Sequence, residues 1–140
     1  LTKKYNRSIL YTACRPVIPG SETERVLTEV ASWGDVTTIV IHIGSVFEFK
    51  GPFQQGQMVL LLELDGPTPG THGHLKIDDI DHIAFQEKPH RGRQSYALVF
   101  NDAEHKTMFK VFVGRDEQGE IFTNQITRFN LLKQQIEDPK

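Results

Sequence analysis

The sequence predicts an α+β domain: one large antiparallel β-sheet of about six to eight strands, flanked by an N-terminal and a C-terminal helix. Three observations predict it. A stretch of helical period opens the readable pattern and another closes it, with a long run of β-branched and aromatic residues between them. The strand-like segments are joined by short connections, which suit antiparallel neighbours. Grouped strands flanked by helices favour α+β over alternating βαβ units.

Residues 1–18 read as the tail of a helical segment followed by a short extended piece, punctuated by Pro16, Pro19 and Gly20. "SETERVLTEVASWG" then predicts a helix over 22–32. Ser21 is the expected N-cap, and Glu24 three residues later completes a capping-box pattern. Val26, Leu27, Val30 and Trp33 share one helical face, and Gly34 ends the helix. From 36 to 51, "VTTIVIHIGSVFEFKG" has the two-residue period of a strand, with a turn or bulge expected at Gly44 and Ser45. "QMVLLLELDG" (57–66) is the next strand and "PTPGT" a loop. "HLKIDDI" and "HIAFQEK" follow as strands with a break at Asp78–Asp79, and "QSYALVFND" and "TMFKVFVG" form a hairpin around "DAEHK". An amphipathic helix over 122–137 closes the order, with Ile126, Phe129, Leu132 and Ile136 on one stripe. Helices can cover one face of such a sheet; the other face must meet solvent, a ligand or a second subunit.

The 140 residues suit a single domain over 1–140, and a start at Leu rather than Met suggests that part of the N-terminus is missing. A net charge of −2 argues against a nucleic-acid partner. No apolar run reaches the ~20 residues of a membrane helix, so no membrane insertion is expected. The lone Cys14 excludes an internal disulfide and a Cys-rich zinc site, and fits a reducing, cytoplasmic setting. No nucleophile elbow, phosphate loop or zinc-protease motif is present. "GRDEQG" (114–119) lacks the ligand spacing of a calcium loop and reads as a surface turn.

The histidines hold the candidate chemistry. In "GTHGHLKIDDIDH" (70–82), His72 falls in the Gly/Pro loop and His74 begins a strand facing inward. A zinc site joining His72, His74 and His82 would need a further carboxylate from Asp78, Asp79 or Asp81. His82 also reads as a half-exposed sheet residue, and His90 and His105 as solvated turn residues. His42 stands mid-strand between Ile41 and Ile43. It is either a buried, hydrogen-bonded structural residue or a ligand for a flat apolar group, as neutral imidazole is for haem iron. Lys76, Lys88, Arg91 and Arg93 are cations available to such a group's carboxylates, although "KPHRGR" equally reads as a wet turn.

Three blocks of sequence go further. "EVASWGDVTTIVIHIGSVFEFKGPF", "GHLKIDDIDHIAFQEKP" and "MFKVFVGRDEQGE", followed by a closing helix, resemble the HutX/ChuX family of intracellular haem-utilisation carrier proteins over residues 22–135. The resemblance implies a haem-binding carrier of the cytoplasm, not an enzyme, similar to half of the duplicated HemS/ChuS-type proteins and therefore homodimeric. The family's proposed haem histidines fall on His74 and His42; of the cations available in the sequence, Arg93 and Lys76 are the candidates to join them. A haem-degrading enzyme, and a dimeric module that has lost haem binding, are the competing readings.

Overall fold

The computed structural model describes residues 17–58, 62–65 and 72–137. The predicted helical tail before Val17 lies outside the described residues. Nine strands and two helices follow in chain order: β1 (Val17–Pro19), α1 (Thr23–Ala31), β2 (Asp35–His42), β3 (Ser45–Pro52), β4 (Gly56–Met58), β5 (Leu62–Asp65), β6 (His72–Leu75), β7 (His82–His90), β8 (Arg93–Asn101), β9 (Thr107–Val113) and α2 (Thr123–Glu137). Six strands form one sheet in the order β1-β7-β8-β9-β2-β3, and β4-β5-β6 form a second, smaller sheet. Every pairing is antiparallel. The α+β fold with helices at both ends is as the sequence predicts. The strands between Gly56 and Leu75 leave the large sheet and pair among themselves.

Two tight hairpins set the register. The continuous 36–51 stretch is broken at Ile43–Gly44, where both residues take positive φ (48° and 80°). Arg91 and Gly92 do the same (54° and 78°) between β7 and β8. Two successive left-handed residues make the type I′ turn whose twist matches that of paired strands. Ile43 is an unusual occupant, since β-branched residues rarely take positive φ. Its side chain is 89% exposed.

The helix start departs from the expected capping box. Gly20–Glu22 form a 3₁₀ turn ahead of α1, and Ser21 makes no capping bond. The turn is closed instead by the Thr23 hydroxyl donating to the Gly20 carbonyl at 2.7 Å. The predicted inner face of α1 is buried, Trp33 included. The Trp33 indole donates to Glu29, which also pairs with Arg128 of α2.

Both helices cover one face of the large sheet. Val26, Leu27, Val30 and Trp33 from α1, and Phe129 and Leu132 from α2, join Val36, Ile83, Phe85, Leu98, Phe100, Phe109, Val111 and Val113 in one core. The strand registers place these sheet residues on the same side. Phe129 meets Phe85 and Tyr96 edge-on, at 5.3 and 5.6 Å between ring centroids. The "GRDEQG" stretch folds as a turn held by the Asp116 carboxylate, which accepts from the N–H groups of Gln118 and Glu120.

Gln125, only 2% exposed, joins three segments. Its Oε1 accepts from the Gly114 N–H at 2.8 Å, and its Nε2 donates to the carbonyls of Trp33 and Asp35 at 3.1 and 2.8 Å. Gly114 has to be glycine, because a Cβ there would lie 2.1 Å from the Asp35 carbonyl oxygen. Replacing Gln125 with Leu leaves one N–H and two carbonyls unmatched. Each such group costs about 1–3 kcal/mol, so the expected result is a loss of about 3 kcal/mol or more. Urea unfolding should show a lower midpoint at an unchanged m-value.

Candidate functional site

Among the described residues, α1 and α2 do not reach the whole inner face of the sheet. Toward the β2–β3 hairpin, Val40 is only partly buried, and Phe47 and Phe49 are 57% and 55% exposed. Opposite residues of an antiparallel pair share a face, so Val40, Phe47 and Phe109 lie together, as do Thr38 and Phe49. The second sheet stands over part of this platform. Between the two lies a cleft of about 470 Å³. Its floor includes Val40, Phe49 and Phe109; Phe53 and Gln54 close one end; Leu64, Gly73, His74 and Leu75 come from the second sheet. The volume is that of a small-molecule site, and the lining is mostly apolar with few polar groups. A larger depression of about 940 Å³ lies between α1 and α2, but it is lined by exposed and ion-paired side chains such as Arg25, Glu29 and Arg128.

His74 is in the cleft. It sits in β6 opposite Glu63 of β5, with an exposed side chain. Its neighbour His72 belongs to the same strand, opposite Asp65, rather than to the preceding loop. The other expected residues lie elsewhere. His42 is not mid-strand but the last residue of β2, exposed and paired with Ser45 at the hairpin tip, because Ile43 and Gly44 take the turn positions. It shares the sheet face of Val40 but does not line the cleft. Arg93 begins β8, and its Nη1 donates to the Gly119 carbonyl at 2.6 Å, beside a separate cavity of about 380 Å³. Lys76 follows β6 and pairs with Asp79 at 2.9 Å. That hydrogen bond and the Asp79 charge raise its pKa above the usual lysine value. Lys88 and Arg91 are exposed. Arg93 and Lys76 are thus engaged by the chain itself, away from the cleft.

The zinc reading is not assembled. His82 turns to Asp81, with Nδ1 2.9 Å from Oδ2, and its ring lies edge-on to His105 at 5.4 Å. Among the described residues, no group of three His, Cys, Asp or Glu side chains comes together to hold a metal ion.

Sequence reasoning missed Lys50 and Gln54, both at the cleft. Lys50 is on the edge strand β3, exposed, and has no carboxylate partner among the described residues. Gln54 lies in the β3–β4 connection, where the sequence shows only a turn. It is 6% exposed. Its Nε2 makes a long bond of 3.4 Å to the Pro52 carbonyl, and its buried Oε1 has no hydrogen-bond partner among the described residues. Neither the strand period nor turn chemistry could have shown that a turn glutamine would be roofed by a second sheet.

Known proteins share this fold. The family model for haem utilisation ChuX/HutX matches residues 17–132. Over 120 residues the chain is 39% identical to the intracellular heme transport protein HutX of Vibrio cholerae serotype O1, an overlap of 85% of this chain. The chain spans 62% of the length of that relative. The structure of the heme binding protein ChuX is similar with a TM-score of 0.79 at 29% identity, over 88% of this chain and 78% of that one. The Escherichia coli heme oxygenase ChuS has a TM-score of 0.67 at 16% identity, over 86% of this chain and 37% of that one; this likeness concerns the fold alone. On the extent of the family match, the chain belongs to the ChuX/HutX family of haem utilisation.

Proposed function

We propose that this chain binds haem in the cleft between its two sheets and carries it reversibly inside the cell. The observation that carries the reading is an imidazole, His74, set at an apolar cleft floored by Val40, Phe49 and Phe109. A porphyrin needs apolar walls, its iron accepts a neutral imidazole, and its carboxylates seek cations. The residues present fit that list. Apolar side chains line the floor, His74 would hold the iron, and Lys50, on the edge strand bordering the cleft, would be the nearest cation if its long side chain turned in from the outer face. When bound, haem supplies an iron that takes the imidazole; the protein's part is to hold the ring and limit its contact with water. His42, on the same sheet face beyond Val40, is the further imidazole within this part of the fold. The named function of the Vibrio relative supports carriage and an intracellular setting. No described helix is long and apolar enough to cross a membrane. The heme oxygenase likeness, at 16% identity, is too distant to favour degradation.

The chain is further proposed to act as a homodimer through the outer face of its large sheet. That face carries Ile39, Ile41, Val46 and Phe112 by strand alternation. Neither helix supplies its cover in the shared core. Lys110 lies on it, bonded to Gln86 at 3.2 Å, and burial, with the nearby Lys88 charge, depresses its pKa. An apolar face holding a partly desolvated amine suits a second copy better than bulk water.

Two outcomes are expected. In a haemin titration followed at the Soret band, the wild type saturates and His74→Ala weakens binding at least several-fold with an unchanged circular dichroism spectrum. Equal affinity and an identical spectrum in the variant would remove His74 from the site. In sedimentation at micromolar concentration, the 16.0 kDa chain runs near about 32 kDa as a dimer. Ile41→Glu should return it to monomer mass, and a wild type already at monomer mass would refute the dimer.

A further inference from the structure

We propose that Gln54 is a ligand-reading residue, whose side-chain carbonyl is unmatched in the free protein and is matched when the cleft fills. This rests on the haem reading and adds to it the end of the cleft that receives the ligand's carboxylates. The starting observation is the orphaned acceptor. Buried polar atoms are nearly always paired, and each exception asks for an explanation. Gln54 is nine-tenths buried, its Oε1 has no partner, and the residue lines the cleft. The long bond from Nε2 to the Pro52 carbonyl orients the amide so that the unmatched atom is the acceptor.

An acceptor can be satisfied only by a donor. A porphyrin's carboxylates are acceptors at neutral pH, so a direct contact would not serve. One water between them does: it donates one hydrogen to Gln54 Oε1 and the other to a ligand carboxylate. Lys50 lies four residues earlier in the same segment and lines the same cleft. The carboxylate end is therefore the β3–β4 end, and His74 approaches from the second sheet. Glu48 also lines the cleft from β3 and has the opposite charge, so carboxylates placed beside it would be repelled.

The experiment compares haemin with haemin dimethyl ester, whose carboxylates are capped, on wild type, Gln54→Leu and the near-isosteric Gln54→Met. Thermal unfolding of the ligand-free proteins is measured alongside. Both variants should match or exceed the wild-type melting temperature, because an apolar side chain removes the unmatched Oε1 and gives up only the long 3.4 Å bond to Pro52. Haemin affinity should fall about five- to tenfold, the worth of one hydrogen bond, and ester affinity should stay within about twofold of wild type. Equal losses on both ligands, or no loss on haemin, overturn the role of Gln54 while leaving haem binding intact. A wild type that saturates with neither porphyrin overturns the haem reading, and this inference with it.

Discussion

The buried amide of Gln125 is the constraint on which the arrangement depends. It bonds to the Gly114 N–H after β9, to the Trp33 carbonyl after α1 and to the Asp35 carbonyl at the start of β2. Gln125 lies 92 and 90 residues from Trp33 and Asp35 along the chain. A single side chain with one acceptor and two donor hydrogens matches all three. It therefore sets where α2 begins relative to the sheet. Gly114 lets the backbone pass close enough for this, and Phe129, one turn further along α2, is then directed onto Phe85 and Tyr96. Lys133, another turn on, reaches Glu87 of β7. Helix α2 is thereby held over the β7–β8 part of the sheet.

That placement explains why a cleft exists. The core-facing side of the sheet is apolar from Ile18 to Phe49, but two helices cannot cover six strands. A helix with its side chains is about 10 Å across, and neighbouring strands are about 4.8 Å apart, so each helix covers roughly two strands. With α2 over β7 and β8, and α1 joined to the core beside Val36, the outer parts of β2 and β3 remain open. The second sheet fills part of that space. Three short strands are a poor cover by comparison with a helix, and the gap left beneath them is the cleft proposed as the site.

The legible part of the fold was the part decided locally. Val26, Leu27, Val30 and Trp33 declared the inner face of α1 by their spacing, and the 107–114 stretch declared β9 by alternation. The capping box at Ser21 failed because a 3₁₀ turn and the Thr23 hydroxyl satisfied the helix start by another route. The site was less legible than the fold. His74, expected to open a strand, lies within β6 and borders the cleft. His42 was misplaced by a hairpin whose turn begins with isoleucine, a residue that turn chemistry disfavours at positive φ. Arg93 bonds to Gly119 and Lys76 to Asp79 within the chain, and neither lines the cleft. Which of several cations is free for a ligand depends on contacts remote in sequence, such as the 26-residue separation of Arg93 from Gly119.

Gln54 marks the limit of local reading in a more general way. Every rule that predicts this fold rewards agreement between residue and surroundings: apolar inside, glycine at tight approaches, paired polar groups. A buried glutamine with an unmatched carbonyl breaks those rules. The same atom type is fully matched in Gln125, so the fold can satisfy a buried amide where structure requires it. The contrast between the two glutamines is therefore informative. Gln125 is spent on holding the framework together, whereas Gln54 retains an unused acceptor at the cleft that this framework leaves open. Residues whose bonding is incomplete in the free protein are those whose energy can change when something binds. Of the two such groups among the described residues, Gln86 Nε2 lies on the outer face of the large sheet and Gln54 Oε1 at the cleft; in the proposed reading the apolar floor would accept a flat ring while the polar groups beside it set how the ring is turned.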